Sequence, residues 1–129
     1  MEIMKAGSRP TTKASSDWFT GTVWQDPIVE APEPARVRAL QVAFEPGART
    51  AWHTHPLGQT LHVVSGIGLV GLRNEQPKVI KAGDTVWIPP REEHWHGATA
   101  GNSMAHIAFQ EALDGRVAEW LEKVSDEEY

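Results

Sequence analysis

Between Val37 and Gln110 the chain breaks into short runs rich in Val, Ile, Thr and Trp, interrupted by Gly, Pro or Asn roughly every eight to twelve residues, the rhythm of an all-β sandwich or barrel. The pattern predicts strands at Val37–Phe44, Thr50–His55, Gln59–Ser65, Ile67–Arg73, Lys78–Lys81, Thr85–Ile88, His94–Thr99 and Ser103–Gln110. The turns between them are explicit: Glu45-Pro46-Gly47, Pro56-Leu57-Gly58, Asn74 to Pro77, Ala82-Gly83-Asp84, Pro89-Pro90 and Gly101-Asn102. The tail changes period. Asp114 reads as a cap, and Val117, Trp120, Leu121 and Val124 recur at helical spacing, which predicts a C-terminal helix over 114–125 packed on the outside of the barrel. Residues 1–35 read as an N-terminal arm: Ser8 to Ser16 is loop-like, Trp18-Phe19 and Thr22-Val23-Trp24 suggest a short β segment, and Pro27, Pro32 and Pro34 mark a loop. A small barrel leaves sheet edges exposed, and the arm's strand has no evident partner in its own chain. A homodimer or homotetramer is therefore expected.

Composition narrows the class. The 129 residues carry 12 Lys and Arg against 17 Asp and Glu, a net charge of −5, which bounds the chain to one acidic globular domain over 1–129. No Lys/Arg block is present to neutralise phosphates, so nucleic acid and anionic membrane are excluded and a small molecule is the expected partner. With no Cys, disulfides, thiol nucleophiles and iron–sulfur clusters drop out, and any metal must be held by His, carboxylate or amide. The apolar runs are short and Met1 to Pro10 lacks the core of a signal peptide, which predicts a cytoplasmic protein.

All six His lie between positions 53 and 106, within the β-rich part of the chain. His53 and His55 are two apart on a predicted strand, so both rings project from one face and can converge on one ion. Gln59 opens the next strand and can bring an amide oxygen to the same place. His94 and His96 repeat the two-residue spacing. A lone buried His is commonly a hydrogen-bonded core residue, but two His-x-His pairs beside turn glycines favour ligation. Alternation on the last strand sends His106, Ala108 and Gln110 to the cavity face. Leu40, Val42 and Phe44 share a face on the first strand, where Leu40 and Val42 are either a substrate-binding wall or plain core.

The wider spacing is more specific. Gly47, His53, His55, Gln59 and Gly66, followed by Gly83, Pro89 and His94, resemble the two motifs of the cupin superfamily. Gln59 stands where most cupins have Glu, Arg91 replaces a usual Gly, and Ala98 a usual Asn. The resemblance implies a double-stranded β-helix, a jelly-roll barrel with a metal inside. Trp18 to Val23, Phe44 to Leu61, His94 to Ala98, Gln110 to Gly115 and Asp126 to Tyr129 further resemble the bacterial manganese-dependent cupin hydroxynitrile lyases, a match along nearly the whole chain. That group binds its metal through three His and one Gln. Carried over by position, these are His53, His55, Gln59 and His94, and the implied cofactor is one divalent ion, Mn first, with Fe, Ni, Co or Zn also suited to such donors.

The implied activity is cleavage and formation of aromatic cyanohydrins of the mandelonitrile type. A neutral Gln in place of Glu leaves the dication uncompensated and makes it a stronger Lewis acid. His106, with an ordinary pKa near 6.5, is the expected general base. His96 is either a second base or a hydrogen-bonding prop, and Gln110 a polar neighbour that steadies the leaving group. Two other classes compete: an oxygen-dependent dioxygenase of the quercetinase type, and a non-enzymatic, metal-dependent small-molecule-binding cupin. His62 falls on the outward face, where a sheet or subunit contact is expected. Trp52 and Trp95 read as packing, and Glu92-Glu93 and the terminal Asp126-Glu127-Glu128 as solvated charge.

Overall fold

A computed structural model describes residues 1–129, as twelve strands and no helix. The strands are β1 (Thr12–Lys13), β2 (Phe19–Thr20), β3 (Val23–Glu30), β4 (Val37–Phe44), β5 (Arg49–Thr50), β6 (His53–Thr54), β7 (Gln59–Leu72), β8 (Lys78–Lys81), β9 (Thr85–Ile88), β10 (His94–Ala98), β11 (Met104–Glu111) and β12 (Glu119–Trp120). All pairings are antiparallel and fall into two sheets. One sheet runs β1, β3, β4, β11, the first half of β7, then β9. The other pairs the second half of β7 with β8 and β10, and β10 carries β5 and β6 on its far side, extended by β2 and β12. This is an all-β double-stranded β-helix. No helix is long and apolar enough to cross a membrane.

Two strands predicted on either side of Gly66 are one 14-residue strand, β7, that passes from one sheet to the other. Gly66 is its bend rather than its end: φ is +77°, and a Cβ there would lie 1.9 Å from the Ser103 carbonyl oxygen. A register shift in the facing strand, between Ala105 and His106, accommodates the corner. Conversely, the strand predicted over Thr50–His55 is split into β5 and β6, with Ala51 and Trp52 between them.

The C-terminal helix is not formed. Asp114 and Gly115 adopt φ of +51° and +79°, and Leu113 and Arg116 exchange backbone hydrogen bonds across them. Asp-Gly with both residues left-handed is a tight hairpin turn, not a helix cap. Beyond it the chain stays extended: Trp120 pairs with His53, the Trp52 amide donates to the Glu122 carbonyl at 2.9 Å and the Leu121 amide to the Trp52 carbonyl at 2.8 Å. The apolar residues that suggested a helical face bury themselves from this strap instead, with Val124 packing against Trp52 and Trp95. Arg49 donates to the Val124 carbonyl and to Asp126, and Arg73 to Glu122 and Glu93 while its guanidinium lies 3.8 Å from the Trp52 ring centre. Glu93 and Asp126, read as solvated charge, thus pair with arginines.

The arm finds partners within the chain. β3 pairs along β4, and Pro27 sits inside it at a register shift, where its missing N–H costs no ladder bond. The unpartnered strand that suggested association between subunits is therefore satisfied internally. The main core, Phe19, Val23, Val42, Phe44, Val63 and Met104 among others, fills one part of the space between the sheets. Five histidines share that interior.

Candidate metal centre

His53 on β6 and His94 at the start of β10 are directly opposed in register, with ring centres 4.2 Å apart. His55 follows β6 in the Pro56-Leu57-Gly58 corner, 5.0 Å from the His53 ring. Gln59, the first residue of β7, is buried beside His94. His96 stacks over His94 on β10, and potential ligand atoms of His53, His94 and His96 all lie within 4.8 Å of one another. His106 on β11 reaches the same group through one hydrogen bond, His106 Nε2 to His96 Nδ1 at 2.9 Å. His62 lies outside, exposed and bonded to Thr85 Oγ1.

Backbone carbonyls orient three of these rings. Nδ1 of His53 faces the Ala51 oxygen at 2.9 Å, Nδ1 of His55 the Val117 oxygen at 2.6 Å, and Nδ1 of His94 the Glu92 oxygen at 2.8 Å. A carbonyl only accepts, so each Nδ1 carries the hydrogen and each Nε2 presents a lone pair. His94 Nε2 meets the Gln59 side-chain oxygen at 3.2 Å, one acceptor against another. His55 Nε2 is buried without any hydrogen-bond partner, as are the two outer nitrogens of the His96–His106 pair, His96 Nε2 and His106 Nδ1, one of which carries a hydrogen. Buried lone pairs converging without a donor are what a divalent cation satisfies, and the donor set fits one.

Burial sets the protonation states. Desolvation pushes His53 and His96 well below the ordinary imidazole value, aided by neighbouring histidines, and lowers His55. It takes His94 and His106 down to about 4. All five rings are neutral at pH 7, the state a metal ligand requires. For His106 this revises the expectation of an ordinary pKa: the ring is always available to accept a proton, but is a weaker base than a free imidazole.

Gln110 points inward on β11, yet both ends of its amide are engaged. It accepts from Gln59 Nε2 at 3.0 Å and donates to the Arg38 carbonyl at 3.0 Å. Val42 is buried in the main core beside Phe44, whereas Leu40, half-buried, lines a cavity of about 560 Å³ together with Gln110, Val117 and the arm residues Met4 and Pro10. The arm thus lines a cavity that meets the centre's supporting residues Gln110 and Val117. The strap's Val117 and the Gln59–Gln110–Arg38 chain were not foreseen from the sequence. The Asp114-Gly115 pair was the available signal for the strap.

Comparisons with known proteins agree with this fold. Residues 40–109 match the cupin domain family. The chain is 53 % identical over 129 residues, all of this chain and 98 % of its relative, to an (R)-mandelonitrile lyase of Granulicella tundricola. Among solved structures, a cupin-like protein of Thermotoga maritima superposes with a TM-score of 0.86 at 42 % identity, covering 100 % of this chain and 95 % of the other. A polyketide cyclase of Streptomyces resistomycificus shares the fold, with a TM-score of 0.77 at 14 % identity over 100 % of this chain and 90 % of its own. Built around a three-histidine site able to bind a divalent metal ion, the chain belongs to the cupin family, as a metal-dependent enzyme related to the Granulicella lyase.

Proposed function

We propose that the chain is a manganese-dependent hydroxynitrile lyase, which cleaves and in reverse forms the carbon–carbon bond between cyanide and an aldehyde, on aromatic cyanohydrins of the mandelonitrile type. The observation that carries this reading is the 53 % identity along the whole chain to an (R)-mandelonitrile lyase. His53, His55, Gln59 and His94 would hold the ion. All four are neutral, so the charge of a bound dication is left to polarise an alcohol oxygen and lower its pKa.

The His96–His106 pair acts as the base. Two neutral imidazoles joined by one hydrogen bond carry one further N–H, so of the two outer nitrogens, His96 Nε2 and His106 Nδ1, one always presents a lone pair. When His96 Nε2 takes the hydroxyl proton, the shared proton moves to His106 Nε2 and the charge comes to rest on His106. As the carbonyl forms, the carbon–carbon bond breaks and its electron pair leaves with cyanide. The proton returns along the same path to cyanide, and the site is neutral again. Leu40 at the cavity, backed by Val42 in the core, offers the apolar wall for the aromatic ring.

Racemic mandelonitrile given to Mn-loaded and chelator-stripped protein tests the reading, with benzaldehyde and dissolved oxygen followed together. Metal-dependent benzaldehyde release without oxygen uptake is expected. Oxygen consumption with no release above the uncatalysed rate would replace the lyase by a dioxygenase.

A further inference from the structure

We infer that Gln110 is a positioning residue, which fixes the atom of Gln59 that faces the histidines. The inference rests on Gln59 being a metal ligand. Its starting point is a backbone oxygen. The Arg38 carbonyl on β4 can only accept, and Gln110 lies opposite it in register with its side-chain nitrogen 3.0 Å away. Gln110 must therefore turn its NH2 group to Arg38 and its oxygen to Gln59. An oxygen there can only accept, so Gln59 turns its own NH2 towards Gln110, at 3.0 Å, and its Oε1 towards His94.

That orientation is unfavourable without a cation, because Oε1 then opposes the His94 Nε2 lone pair at 3.2 Å. The flipped amide would donate an N–H to that lone pair and satisfy it locally. It would also place a hydrogen where an ion should bind. Gln110 opposes the flip: with Gln59 reversed, two oxygens would meet at 3.0 Å, and reversing Gln110 as well would set its oxygen against the Arg38 carbonyl. A single backbone carbonyl on the far side of β11 thus sets the polarity of two amides in series and ends at the metal centre. A carboxylate at position 59 has two equivalent oxygens and no such handedness. The dependence on Gln110 is specific to an amide ligand.

Titration of metal-free protein with Mn(II), following the free ion by electron paramagnetic resonance, tests this without reference to turnover. Gln110→Met keeps the volume but removes the acceptor, and should weaken binding by about 10- to 100-fold, the usual range for losing a partner of a ligand. In a Gln59→Glu background, where there is no amide to reverse, the same substitution should cause no such loss. Thermal melts of the metal-free variants establish that each is folded. Should Gln110→Met not fold, Gln110→Asn, one methylene too short to span Gln59 and Arg38, makes the same comparison. No loss on Gln110→Met, or equal loss in both backgrounds, would overturn the positioning role. Gln59→Leu binding Mn(II) as tightly as the parent would instead remove Gln59 from the ligands, and the inference with it.

Discussion

At His106, one physical effect acts in two ways. Burial holds its pKa at about 4, which keeps the ring neutral and receptive at pH 7, and equally makes the proton it accepts easy to give back to cyanide. Its removal should therefore be felt in turnover and not in metal affinity. We expect His106→Ala to lower benzaldehyde release by about 10²- to 10⁴-fold, the usual weight of a general base, with Mn(II) binding retained. His53→Ala should lose both, and a His106→Ala protein with full activity would make the base assignment wrong. Much of this layer was legible in the chain: two-residue periodicity placed His106 and Gln110 inward and His62 outward, as observed. The bond from His106 to His96 was not legible. β10 and β11 are not hydrogen-bonded neighbours but approach across the interior, and no local pattern encodes that distance.

Among the elements, the strands from Val37 to Gln110 were readable because apolar alternation and turn residues agree there. Two departures have local causes. Glycine commonly separates strands, as the sequence predicts between Ser65 and Ile67, yet here Gly66 permits a left-handed corner pressed against the Ser103 carbonyl. Gly66→Ala should consequently destabilise the protein by about 2–4 kcal/mol, since neither the clash nor the positive φ can relax without moving two strands. That corresponds to a melting temperature lower by about 10 °C, and an unchanged melt would show that the corner is soft. The tail misled for a different reason. Val117, Trp120, Leu121 and Val124 fit a helical period, but Asp114-Gly115 makes a hairpin turn and β6 offers an open edge, so pairing with His53 and Trp52 prevails over weak intrinsic propensity. The consequence reaches the centre: the strap supplies the Val117 carbonyl that orients His55.

For the molecule as a whole, the interior divided between an apolar core and five neutral histidines makes stability depend on pH. Burial depresses the folded-state pKa of His53 and His96 and takes His94 and His106 down to about 4, so for the latter two the unfolded chain binds protons between about pH 6.5 and about pH 4 that the folded chain refuses, and His53 and His96 act in the same direction. Stability is fully present above about pH 6.5 and is lost as pH falls, at up to about 1.4 kcal/mol per pH unit for each such ring. The metal-free protein should melt markedly lower at pH 5 than at pH 7. Equal melting temperatures would mean that the rings are not held neutral. Added Mn(II) should raise the melting temperature at pH 7 and do so less at pH 5, because protons compete for the same nitrogens.

Dependence of the reaction on this centre is measured most directly by turnover of mandelonitrile as Mn(II) is added in steps to chelator-stripped protein. Benzaldehyde release should rise linearly and level off at one equivalent of Mn(II) per chain. Release that is independent of added metal, or absent when one equivalent is bound, would contradict a lyase built on this centre.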